Sequence, residues 1–174
     1  VAEGMQPLAS KAYGASQNGN ATPAERIAAY DEIRHIRNKA IRTAIAASVL
    51  LFLFTIATAS FYPALYGYQG DAAAAGYHAV MLTAAQLIFT GIVRVTNSFF
   101  YAVGKNRYSL FMIYFDPLCL TPAALAVLPH FFGTDGIWLT AVITQFLLNL
   151  VAAGMFVRHN AQMKREQAAL TKGV

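Results

Sequence analysis

The chain has one cysteine in 174 residues, Cys119, so no disulfide framework can be built from it. Cys119 lies inside an apolar stretch and says nothing about redox compartment. Charge is scarce too. Asp, Glu, Lys and Arg make up 12% of the residues against 57% apolar ones, and the mean hydropathy is +0.45. That balance argues against a soluble globule. Signatures of chemistry are also missing: there is no nucleophile elbow, phosphate loop or zinc-protease motif. The four histidines, His35, His78, His130 and His159, lack metal-ligand spacing and read as ordinary surface residues in loops or interfaces. No enzyme activity, metal or organic cofactor is expected. The first residues show no basic start followed by an apolar stretch and a cleavage site, so no signal peptide is expected.

What the chain does have is long apolar runs. A helix needs about 20 residues to cross a hydrocarbon core of roughly 30 Å. Residues 41–66, 75–103, 108–128 and 137–157 qualify. Four spans with their loops use up the chain and leave no room for a soluble catalytic domain. The net charge of +5 and the isoelectric point near 9.5 could suggest a nucleic-acid partner. The placement of the charge argues otherwise. Arg26, Arg34, Arg37, Lys39 and Arg42 precede the first run, Lys105 and Arg107 separate the second and third, and Arg158, Lys164, Arg165 and Lys172 follow the fourth. The connections 67–74 and 129–136 contain neither Lys nor Arg. This alternation puts both chain ends on the cytoplasmic side of a plasma (inner) membrane and makes the lipid bilayer the main partner.

The expected fold is therefore all-α, a polytopic membrane bundle of four complete transmembrane helices plus the end of a preceding one. Residues 1–15 read as the end of a truncated span, and 16–40 as a cytoplasmic linker with an amphipathic helix. Residues 41–157 form the four-helix part, and 158–174 a basic tail. Thr22-Pro23-Ala24-Glu25 satisfies a capping box with proline at the first helical position, so a helix should start there. Ile27, Tyr30, Ile33 and Ile41 recur at roughly helical spacing between charged residues. The segment has two readings, a surface helix attracted to anionic headgroups or a solvated linker. Ala40, Ala44 and Ser48 repeat every four residues, which allows close helix packing. Tyr62, Tyr66, Tyr68 and Tyr77 mark one interface, and Phe131, Phe132 and Trp138 mark an outer turn. Pro117 and Pro122 predict a kink in the third span.

The polar residues within these spans are the candidate site. At about 100° per residue, Thr83, Gln86, Thr90, Arg94, Asn97 and Tyr101 fall within an arc of roughly 80° on the second span. A charge at the centre of a membrane helix costs about 2.5–3.5 kcal/mol on insertion scales, so this stripe should face protein or water. Gln145 and Asn149 form a shorter polar pair on the fourth span. Arg94 and Asp116 lie ten and twelve residues from Gly104, about 15–18 Å along their helices, a depth that would let them form an ion pair directly or through water. Such a pair would either staple two helices or serve ion coupling and substrate passage.

Three segments together resemble the multidrug and toxin extrusion (MATE) family. Gly4-Met5-Gln6-Pro7-Leu8-Ala9-Ser10 with Tyr13-Gly14-Ala15 looks like the end of a lobe's second helix. Phe100-Tyr101-Ala102-Val103-Gly104-Lys105 is similar to the turn between the fourth and fifth helices. Leu128-Pro129 with Phe132-Gly133-Thr134-Asp135-Gly136-Ile137-Trp138-Leu139 resembles the outer turn between the fifth and sixth. The resemblance covers nearly the whole chain. It implies the last helices of a C-terminal lobe, working with an N-terminal lobe that this chain lacks. It also implies export of small organic cations or drugs in exchange for protons or sodium ions. Gln86, Thr90, Arg94, Asn97, Asp116, Gln145 and Asn149 would then line or brace the ion or substrate pathway. Asp116-Pro117 stands where relatives often carry Arg-Gln, and Glu3 is a second acidic candidate. Two rival readings stand beside this one, a lipid-linked precursor flippase of the same superfamily and a non-transporting membrane scaffold.

Overall fold

The computed structural model describes residues 1–172. These are almost entirely helical, with no strand among them. They form two compact units built from interleaved stretches of chain: Val1–Ala44, Arg94–Met112 and the residues from Leu150 onward in one, Ile45–Val93 and Ile113–Asn149 in the other.

In the first unit, α1 (Ala2–Gln17) buries Met5, Ala9, Ala12 and Ser16, a face with 4-3-4 spacing. Arg26 Nε donates to the Ser16 carbonyl at 2.9 Å and so satisfies one of the carbonyls that a helix end leaves open. The expected capping box forms at the start of α2 (Pro23–Ala57): Thr22 N and Oγ1 donate to Glu25 Oε2 at 2.7 and 2.9 Å, and Glu25 N donates back to Thr22 Oγ1. The segment expected as a linker packs one of its faces on protein. α2 runs unbroken into the apolar stretch, and its linker part buries Tyr30, Ile33 and Arg37 against protein. The partner is the distal part of α8 (Thr134–Lys172). There Tyr30 Oη donates to Glu166 Oε2 at 2.7 Å, Arg34 bonds Gln167, and Arg37 bonds Asn160. The basic tail therefore continues α8; residues 173 and 174 lie outside the described residues.

The second unit departs from the expected spans in three places. The first span ends at Ala57 rather than near residue 66, where Thr58 Oγ1 returns to the Phe54 carbonyl at 2.7 Å. The short α3 (Phe61–Leu65) follows. The second span is two helices, α4 (Gly70–Thr83) and α5 (Gln86–Ala102), bent by 43° at the break. Thr83 Oγ1 donates to the Ala79 carbonyl at 2.8 Å, a back-bond that competes with the helix ladder and favours a bend. In the third span, the expected proline kink takes the form of a π-helical turn at Asp116–Leu120, between α6 (Asn106–Phe115) and α7 (Thr121–Phe132). Proline has no N–H to donate, and a wide i→i+5 turn absorbs that loss within the helix. Ala40, Ala44 and Ser48 are all buried, as their small-residue spacing requires.

Three helical segments are long and apolar enough to cross a membrane: Pro23–Ala57, Asn106–Phe132 and Thr134–Thr171. The bent pair α4–α5 makes a fourth if it counts as one span. In the most apolar windows of the three, only 17%, 6% and 22% of the residues are buried in the protein, so their side chains need an apolar solvent. Leu50 and Leu118 are each 68% exposed. α8, at 39 residues, is about 58 Å long, almost twice the hydrocarbon thickness. Its polar part beyond Val157 therefore lies outside the apolar core.

Candidate functional site: a carboxylate at a π turn

Asp116 occupies the first position of the π turn and is half-buried. Five residues along a regular α-helix turn the chain through about 140° beyond a full revolution, which would put Thr121 on a different side from Asp116. The π turn brings them together: Thr121 Oγ1 donates to Asp116 Oδ1 at 3.1 Å. From α8, Gln145 Nε2 donates to Asp116 Oδ2 at 2.7 Å. Both carboxylate oxygens are thus held by neutral donors. Asn149, one turn further on, donates through Nδ2 to the Gln145 carbonyl at 2.8 Å and to the Phe89 carbonyl of α5 at 3.0 Å. The same side chain therefore braces the helix that carries Gln145 and ties it to α5. Gln145 Oε1 is buried and has no hydrogen-bond partner among the described residues, which leaves one acceptor next to the carboxylate.

The expected ion pair would join two units: Arg94 belongs to the first and Asp116 to the second. Asp116 has no salt bridge among the described residues, and Arg94 is exposed with no hydrogen bond or ion pair among them. The continuous polar stripe also needs correction. Thr83 belongs to α4 and is spent on its own back-bond, so the stripe begins at Gln86, beyond the 43° bend. Thr90 Oγ1 likewise returns to the Gln86 carbonyl at 2.9 Å. Gln86 and Thr90 belong to the second unit with Asp116, Gln145 and Asn149; Arg94, Asn97 and Tyr101 belong to the first. In the first unit Asn97 Oδ1 accepts a hydrogen bond from the buried Ser109 hydroxyl, while Tyr101 is exposed. Among the named candidates, then, Asp116, Gln145 and Asn149 form one connected cluster. Glu3, exposed on α1, is not part of it.

Sequence reasoning missed Thr121, because only the π turn makes it a neighbour of Asp116. It also misread His159, which is 3% exposed rather than a surface residue. The signal was present in the spacing: Leu148, Ala152, His159 and Met163 follow one buried stripe of α8. No group of three or more His, Cys, Asp or Glu among the described residues is arranged to hold a metal ion. His78 within α4 and Asp135 in the first turn of α8 are 3.1 Å apart and form a half-exposed pair.

No family model matches the chain, and neither a curated protein nor a solved structure matches it.

Proposed function

We propose that the chain is part of a secondary active antiporter of the multidrug-extrusion type, exporting small organic cations in exchange for protons or sodium ions, with Asp116 as the coupling carboxylate. The observation that carries this reading is the Asp116–Thr121–Gln145 cluster, a carboxylate at a π turn in an apolar helix. Its immediate neighbours are neutral donors, so the balancing positive charge can be a mobile ion rather than a fixed side chain. An intramembrane acid of this kind costs free energy that a purely structural role does not explain.

In this reading α4 and α5 cross the bilayer as one bent span. The basic ends and the turn at Lys105 face the cytoplasm of a bacterial-type inner membrane, and a second lobe completes the cavity. Binding of a proton or a sodium ion at Asp116 removes the charge that Gln145 and Thr121 solvate. That weakens their hold and shifts the balance between inward- and outward-facing states. A ligand moves such an equilibrium only through its different affinity for the two states.

The test is efflux of a fluorescent organic cation from cells that lack their own pumps, under imposed proton or sodium gradients. Efflux should follow one of the two gradients and be lost in Asp116→Asn at normal membrane expression. Gradient-driven efflux that survives in Asp116→Asn would remove the coupling role. No efflux by the well-expressed parent would favour the scaffold, or a flippase moving a lipid-linked precursor.

A further inference from the structure

The first unit encloses a histidine that the transport reading does not use. His159 lies edge-on to Phe99 and Phe100, with ring centroids 5.7 and 5.9 Å away. Phe156 packs on both of those rings, at 5.6 and 5.1 Å. The Arg37 guanidinium covers Phe99 and Phe156 at 5.8 and 5.4 Å. Neither nitrogen of the imidazole has a hydrogen-bond partner among the described residues. A narrow cleft of about 10 Å³ borders the ring, lined also by Tyr30, Lys105, Gln162 and Glu166.

The elements around the ring are ill-suited to an imidazolium. α5 presents the rings of Phe99 and Phe100. α2 contributes the cation of Arg37 and the hydroxyl of Tyr30, the turn after α5 contributes Lys105, and α1 contributes the phenol of Tyr13. The facing anion, Glu166 of α8 itself, already accepts from Tyr30 at 2.7 Å. Burial, with Lys105 and Arg37 adding to it and Glu166 opposing, pushes the imidazole down from its ordinary 6.5 to about 4.

We propose that His159 is a proton-sensitive latch. As a neutral ring it completes the aromatic layer that fastens the distal part of α8 to α1, α2 and the turn at Lys105, and protonation in mild acid releases that part. The latch is independent of the transport reading, because none of its residues belongs to the Asp116 cluster.

The direction follows from linkage. The opened form binds a proton near pH 6.5 and the closed form only near pH 4, so the stabilisation is complete above 6.5 and is lost as pH falls through that window. Between pH 7.5 and 5.5 the opening constant should rise roughly tenfold. Hydrogen exchange of the full chain in lipid nanodiscs, corrected for intrinsic rates, reads this directly. Peptides from residues 2–17 and 158–172 should exchange about tenfold faster at pH 5.5 in the wild type, with little change in His159→Phe, which keeps an aromatic ring but cannot titrate. A wild-type rise below about threefold, or an equal rise in His159→Phe, would overturn the proposal. Should that variant not fold, ¹⁵N spectra of the wild-type ring decide. A ring still neutral at pH 5.5 in the closed chain supports the latch, and one protonated near pH 6.5 with the unit closed rules it out.

Discussion

Asp116 and Gln145 are coupled through one short hydrogen bond, so removing both side chains should cost measurably less than the sum of the two single substitutions. Gln145→Leu leaves Asp116 Oδ2 half-buried without its donor; hydrogen bonds to charged groups are worth about 1.5–3 kcal/mol. A double-mutant cycle with Asp116→Ala in thermal unfolding should return a coupling energy in that range. A value near zero would mean that water replaces Gln145 without loss. Gly136 is a second residue with a definite role. A Cβ there would sit 2.5 Å from the Leu128 carbonyl carbon and oxygen and 2.7 Å from Pro129 N, all of them backbone atoms that cannot turn aside. Gly136→Ala should therefore lower stability by about 1–3 kcal/mol, seen as a fall in the unfolding midpoint. Neighbouring Gly133 holds φ +57° and ψ −137°, a backbone state that residues with a Cβ avoid. The glycines of that turn thus have two separate physical reasons, one steric and one conformational.

At the scale of elements, local rules fared best where a signal was complete within a few residues. The Thr22–Glu25 box formed with both of its reciprocal bonds and a third between the two side chains. Thr22→Ala removes one side of it and should cost about 0.5–2 kcal/mol, appearing as faster hydrogen exchange in the first turn of α2. Helix breaks were less legible. The two prolines of the third span announced a disturbance but not its form, since a kink and a π turn answer the same missing donors. The break at Ala84 and Ala85 had no Pro or Gly to mark it; Thr83 bending its own helix is a weak signal, because threonines often back-bond without consequence.

For the whole molecule, the open question of three spans or four reduces to which side of the bilayer two loops occupy. Cys119 can be replaced by Ser and single cysteines placed at Gln69 and Asn106, the residues before α4 and at the start of α6. An impermeant maleimide should label Gln69→Cys from outside only and Asn106→Cys from the cytoplasm only. Labelling of both from one side would make the α4–α5 pair a re-entrant element and remove the four-span topology. The large apolar surfaces left open on α2, α6, α7 and α8 imply a lipid environment for either result.

The sequence by itself determined the helical class, the apolar segments long enough to span, the start of α2 and the rarity that singled out Asp116. Each of these depends on local composition or on spacing along one helix. Only the tertiary structure decided which groups Asp116 meets within its own unit, namely Thr121 and Gln145. It likewise moved His159 from the surface to the centre of an aromatic layer and packed one face of the linker helix on α8. The reason is the same in each case. A residue's partners depend on the local winding of its helix and on which helix packs beside it, and a π turn or a 43° bend re-aims side chains without changing the apolar pattern from which the helix was read.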